Sequence, residues 1–217
     1  MFLRPFFLLL ALMVSTGAHA AVVVDGDTID IDGQKYRLNG IDAPEYGQKC
    51  NRANGKTWSC GKKSTEALKA LLDGKNPDCK GHERDSYNRI IATCYVGDLD
   101  LNRELVRAGL AWAFVRYDDI YAEEEANARR KGIGIWQAET QAPWDFRAER
   151  WAVAAQEAPE GCPIKGNISK KTKERIYHAP WSPWYKRTKI TLSDGERWFC
   201  DEAEATAAGW RAPYWGR

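Results

Sequence analysis

Histidine, long apolar runs and net charge are all scarce in this chain. Only 3 histidines occur, and no Cys-x-x-Cys pair is present, so a structural zinc site lacks ligands at the required spacing. Beyond residue 20 no stretch is apolar enough to span a bilayer. The formal charge is only +2, from 32 Lys and Arg against 30 Asp and Glu. Bulk electrostatics therefore announce no nucleic-acid partner, and any such signal must lie in how the charge is distributed. An EF-hand is excluded as well. Counted from Asp25, the fifth position is Ile29, where that loop needs an oxygen ligand.

What is present begins with an address. Arg4 gives a short positive region, residues 6–14 are apolar but too few to cross a membrane, and Ala18-His19-Ala20 is a small-x-small cleavage site. Residues 1–20 read as a secretory signal, with a retained anchor as the alternative. Cleavage would remove Arg4, lower the formal charge to +1, and leave a secreted or periplasmic protein with no stable membrane association. About 195 mature residues allow one large domain or two small ones. Six cysteines in an exported chain argue for three disulfides. Of about fifteen connectivities, the spacing favours Cys50–Cys60 around a polar insertion, Cys79–Cys94 flanking a long hairpin, and Cys162–Cys200 in the C-terminal segment.

Two short stretches carry the chemistry, Val24-Asp25-Gly26-Asp27-Thr28 and Arg37-Leu38-Asn39-Gly40-Ile41-Asp42-Ala43-Pro44-Glu45. Asp27, Asp42 and Glu45 offer hard oxygen ligands suited to a hard divalent cation such as calcium. Arg37 offers a planar fork of donors that fits a phosphate. A carboxylate-held metal beside a guanidinium is the minimum equipment for attacking a phosphodiester. Taken singly, each half is also an ordinary turn or loop.

Together the two halves resemble the staphylococcal nuclease (thermonuclease) family. Asp85-Ser86-Tyr87-Asn88-Arg89, Leu105-Val106-Arg107-Ala108-Gly109-Leu110-Ala111 and Ile135-Trp136 match further anchors of that family in order, so the resemblance spans residues 22–137. It implies a five-stranded OB-type barrel with three helices. It also implies calcium held by Asp27, Asp42 and the main-chain oxygen of Ala43, where the family usually has threonine. Glu45 would orient or deprotonate the attacking water, and Arg37 and Arg89 would clamp the phosphate. Tyr87 and Phe114 would contact the nucleotide, the latter without the hydroxyl of the family's tyrosine. Ser86 stands where a substrate-facing lysine can occur. Asn88 replaces a turn glycine, a mild change because asparagine tolerates the left-handed conformation. The implied activity is hydrolysis of DNA and RNA, single strands preferred, leaving 3′-phosphate ends, by a monomer.

The local patterns fit that reading. Residues 22–24 start a strand that 28–31 continue, with Gly26 allowing a bend, and Asp32-Gly33 turns the chain into a returning strand at 35–38. Residues 46–61 form a polar insertion where the family has a mobile loop, which a Cys50–Cys60 bridge would restrict. Helices are expected at 64–73 and 102–108. A third is expected from a cap at Asp118 through Arg130, with Glu123-Glu124-Glu125 on a solvated face. Strands are expected at 78–80 and 89–95, and an aromatic edge at 112–117. The organisation expected is a nuclease-like OB domain at 21–144, a linker or helix at 145–160 with Trp151 and Val153 as contacts, and a small disulfide-linked α+β module at 161–217. That last segment resembles a module of exported bacterial proteins called the sunset domain.

Residues 165–189 carry eight Lys or Arg and one acid, Glu174, interleaved with Tyr177, Trp181, Trp184 and Tyr185. Single-stranded nucleic acid would suit such a surface, and so would the plain core of a very small domain. His178 reads as a packed residue. Two alternatives stand beside the nuclease. One is a non-catalytic nucleic-acid- or envelope-binding protein that keeps the barrel. The other is a role in exopolysaccharide production.

Overall fold

The computed structural model describes residues 21–116 and 118–215. The predicted signal at 1–20 lies outside the described residues, as does Tyr117 of the expected aromatic edge. Strands β1 (Val22–Val23) and β2 (Thr28–Ile31) do not form the single continuous strand that the sequence predicts. They pair antiparallel, Val23 opposite Ile29. Gly26 sits in a full reversal rather than a bend, closed by Val24 N–H donating to the Thr28 carbonyl at 2.8 Å. Asp32 and Gly33, both at positive φ, then turn the chain into β3 (Gln34–Leu38), as Asp-Gly pairs do in two-residue hairpins.

Strand β4 (Ile41–Asp42) follows at once. The polar insertion holds a small hairpin of β5 (Cys50–Asn51) and β6 (Thr57–Trp58), tied by the Cys50–Cys60 disulfide. Helix α1 (Cys60–Leu72) starts a turn earlier than the apolar pattern suggests. Its first turn is buried against the loop after β4, and a Cβ on Gly61 would fall 1.7 Å from the Glu45 carbonyl oxygen. Strands β7 (Asp78–Lys80), β8 (Ile90–Val96) and β9 (Leu99–Asp100) lead into helix α2 (Leu101–Arg107), with Cys79 bonded to Cys94 across β7 and β8. The sheet order is β1-β2-β3-β8-β7, with β9 on β8, and β3 runs parallel to β8. This mixed sheet curls into the expected OB-type half-barrel.

The expected edge at 112–117 shrinks to β10 (Trp112–Ala113), paired with β4. Helix α3 (Ala122–Lys131) begins after Tyr121, not at Asp118. The Asp118 carboxylate instead accepts from Asn39 Nδ2 at 2.9 Å and from the Ile120 N–H. The acidic run on α3 is not simply solvated. Glu124 pairs with Arg103, and Glu125 accepts from the Ala113 N–H at 2.6 Å and from Arg129. Successive helical residues face about 100° apart, so the first turn of α3 can satisfy α2 and β10 at once. The barrel core is Ile29, Leu38, Ile41, Leu68, Leu101, Leu105, Val106 and Tyr121.

Helix α4 (Pro143–Glu157) leads to β11 (Ile164–Ile168), β12 (Arg175–His178), β13 (Arg197–Phe199) and α5 (Glu202–Ala207). The three strands form one antiparallel sheet with β11 central. Gly166 allows that sheet to sit flat on its core, since a Cβ there would lie 2.4 Å from Phe199 and 2.8 Å from Trp210. Cys162 is bonded to Cys200. Ile164, Tyr177, Phe199, Ala205 and Trp210 make a second core, against which Trp151 and Trp181 pack. Val153, an expected contact, is exposed, because it projects from the other face of α4. All three disulfides have the expected partners, and they place the folded chain in an oxidising compartment. Among the described residues no helix is long and apolar enough to cross a membrane.

His178 is buried, with Nδ1 3.2 Å from Ser182 Oγ. Burial, aided by Lys165, lowers its pKa to about 4. The unfolded chain then binds more protons than the folded one between that value and the ordinary histidine range, so stability falls as pH falls. Acidifying from pH 7 to pH 5 should remove roughly 2 kcal/mol from the C-terminal core. Thermal melts of the wild type and His178→Gln check this. The variant should lose less between the two pH values, and equal losses would exclude His178 as the cause.

Candidate active site

The site grows from the first hairpin and the loop after β4. In the reversal, the Asp27 N–H donates to Asp25 Oδ1 at 3.1 Å. Gly26 leaves room for Ala43 to pack beneath it, since a Cβ on Gly26 would approach the Ala43 Cβ to 2.8 Å and the Ser64 Cβ to 3.0 Å. The close fit brings Asp27 Oδ2 to 2.7 Å from the Ala43 N–H. The two sequence stretches are thereby stitched together.

Arg37 stands on β3 opposite Thr28 of β2. Its Nη1 donates to the Leu38 and Ile41 carbonyls at 3.0 Å each, and its Nη2 lies 3.2 Å from both Asp27 Oδ2 and Asp42 Oδ1. Asp42 ends β4 and is 1% exposed. Glu45 follows on a loop clamped by Gln48, whose backbone N–H donates to the Glu45 carbonyl at 2.7 Å and whose side chain reaches the Gln141 carbonyl. The disulfide hairpin and Gly61 press on this loop from the other side, so the insertion is anchored where the family has a mobile loop.

Arg89 is aimed by Asp85. One Asp85 oxygen accepts from the backbone N–H groups of Tyr87 and Arg89 at 2.9 Å, and the other accepts from Arg89 Nε at 2.7 Å. Asn88 adopts φ 60, the left-handed conformation that asparagine tolerates. The Arg89 guanidinium lies over the Tyr87 ring at 5.1 Å.

The structure thus brings Asp27, Arg37, Asp42, Glu45, Tyr87 and Arg89 to one cleft of about 380 Å³. Ala43 does not line the cleft but is tied to it by its N–H bond to Asp27. Phe114 does not join them. Its ring packs 5.5 Å from Trp144, and it is not among the residues lining the cleft. Sequence reasoning placed none of the following in this site, and it named Trp181 only for a separate basic-aromatic surface. Asp25 also faces the cleft, and Arg147, Trp181 and Glu202 line it from the C-terminal segment. Arg147 donates from Nη2 to Asp42 Oδ2 and from Nη1 to Glu45 Oε1, each at 2.8 Å. The run Trp144-Asp145-Phe146-Arg147 carries no motif, and only the fold reveals it. Asp25 could have been found, because it stands two residues before Asp27 in the same turn.

Burial, together with the Asp27 carboxylate, pushes the Asp25 pKa up to about 7. Burial, with Asp25 and Asp27 adding to it and Arg147 opposing, pushes Glu45 up to about 8. Asp42 is also raised by burial, against the pull of Arg147 and Arg37. Five carboxylates, those of Asp25, Asp27, Asp42, Glu45 and Glu202, share this cleft with three arginines. Added positive charge fits this donor set, and the hard oxygens suit calcium or magnesium. Among the described residues no three acidic, histidine or cysteine side chains form a ready-made cage. A cation here would rest on few side-chain ligands.

Residues 35–138 match the family model described as staphylococcal nuclease homologue, and residues 145–212 match one described as ArfC. An uncharacterized endonuclease of Escherichia coli is 36% identical over 133 residues, covering 58% of this chain and 80% of that one. The chain belongs to the staphylococcal nuclease family. It is also similar to the succinoglycan biosynthesis protein ExoI of Rhizobium meliloti, at 41% identity over 55% of this chain and 64% of that one. An uncharacterized endonuclease of Haemophilus influenzae matches at 36% over 52% and 62%. The chain thus spans somewhat under two thirds of these last two relatives. Family membership supports a nucleic-acid-hydrolysing activity. The likeness of the C-terminal segment to the sunset domain gains no support.

Asp85 supports the site without lining the cleft. Asp85→Ala should leave the protein folded and, on the nuclease reading proposed below, lower turnover tenfold or more, since Arg89 loses its aiming bond and transition-state donors are worth about 10²–10³ in rate. Steady-state cleavage of an oligonucleotide measures this, and unchanged turnover would show that Arg89 needs no such anchor.

Proposed function

We propose that the protein is an exported, calcium-dependent nuclease that hydrolyses DNA and RNA, prefers single strands, and leaves 3′-phosphate ends. The nuclease domain would occupy residues 21–144, with 145–160 as a helical connection and 161–217 as a disulfide-linked module. One observation carries the reading. The two carboxylates Asp27 and Asp42, the loop carboxylate Glu45 and the guanidinium groups of Arg37 and Arg89 converge on one cleft.

Asp27, Asp42 and the Ala43 carbonyl would hold calcium, which when bound supplies positive charge against the phosphate oxygens. Arg37, fixed by two main-chain carbonyls, neutralises the phosphate in the ground and transition states. Glu45 orients the attacking water and takes its proton as the water oxygen bonds to phosphorus. The bond from phosphorus to the 5′ oxygen breaks, and Arg89 stabilises the charge that develops there. Tyr87 beside Arg89 gives the adjoining nucleotide a ring to rest on. Trp181 and Glu202 narrow the cleft from the C-terminal side, which favours a single strand over a duplex.

The test is cleavage of denatured DNA by the mature, oxidised protein, with calcium and with a chelator. Chelation or Asp42→Ala should abolish it, and Glu45→Gln should reduce turnover about a hundredfold or more. Full activity after Glu45→Ala would reject Glu45 as the base. A folded protein inert with every divalent cation would leave the binding reading in its place.

A further inference from the structure

Arg147 comes from α4, beyond the residues that match the nuclease family model. It nevertheless holds the two carboxylates on which the proposed chemistry depends. Nη2 and Nη1 reach both oxygens of Asp42 at 2.8 and 3.2 Å, and Nη1 also reaches Glu45 at 2.8 Å. An arginine keeps its charge at any ordinary pH. The guanidinium is therefore a permanent cation seated where the proposed function needs Asp42 for calcium and Glu45 for water.

Arg147 occupies both Asp42 oxygens, one of which Arg37 already shares, so an incoming dication competes with it for the remaining lone pairs. An incoming dication concentrates more charge on them than a delocalised guanidinium does. Displaced from Asp42, the Arg147 side chain still opens on the cleft that Arg37 and Arg89 line. The anion that then enters is a phosphodiester, which matches the guanidinium fork as a carboxylate does. We propose that Arg147 is a third substrate-binding arginine, held on Asp42 and Glu45 until a divalent cation takes that place, and then passed to the phosphate. This rests on the reading under Proposed function.

The experiment uses full-length oxidised protein with Arg147→Ala and Arg147→Lys, each verified as folded by its melt. Calcium binding is measured calorimetrically without nucleic acid. Binding of a short single-stranded oligonucleotide is measured at saturating calcium in a Glu45→Gln background. Arg147→Ala should bind calcium at least tenfold more tightly and the oligonucleotide at least tenfold more weakly, with Arg147→Lys between it and the wild type. Unchanged calcium affinity or unchanged oligonucleotide affinity overturns the proposal and leaves Arg147 as an ion pair that fastens α4. Wild-type protein that cleaves normally while Arg147→Ala binds like it overturns this proposal alone. Wild-type protein that binds no calcium overturns both.

Discussion

The buried carboxylate of Asp42 constrains everything around it. A charge so removed from water must be paired on all sides or neutralised. Arg37 approaches it from the barrel and Arg147 from α4. Arg37 is in turn fixed by the Leu38 and Ile41 carbonyls and shared with Asp27. The turn at Gly26, the short β4 strand and the first turns of α4 are thus locked to one another through a single anion. Removing either arginine leaves Asp42 under-compensated, so the knot is as much a folding constraint as a chemical one.

Much of the barrel was legible because its signals are local. Asp32-Gly33 specified a hairpin turn, and the patterns at 64–73 and 102–108 marked two helices within a few residues of their bounds. The reading failed where long-range packing overrode a local rule. Residues 22–31 look like one interrupted strand, yet the Gly26 reversal makes two paired strands, because Gly26 and Ala43 pack too closely for a gentle bend. Asp118 looks like a helix cap, yet Asn39, distant in sequence, claims its carboxylate. The glutamate run on α3 looks solvated until the Ala113 N–H and Arg103 are found facing it.

The site shows the same division. Asp27, Arg37, Asp42, Glu45 and Arg89 stand in short, ordered stretches and could be read as a set. Trp181 belongs to the stretch 165–189, whose aromatic and basic residues suggested either a core or a separate binding face, while Arg147 and Glu202 lie outside it. Tyr177 and Trp181 do serve that core, while Trp181 also faces the cleft. No spacing rule foretells which exposed ring of a small module turns toward a neighbouring catalytic groove. Only the path of α4 decides it.

The last described residues return to the first. Trp215 donates its backbone N–H to the Val24 carbonyl at 2.8 Å and stacks on Tyr46 at 4.9 Å, and the Tyr214 hydroxyl reaches Asp30. The two sides of this closure therefore leave the ribosome far apart in time. Pairings so distant in sequence close large loops and form late. A nascent chain can assemble its barrel well before the seam beside the Gly26 turn is sealed.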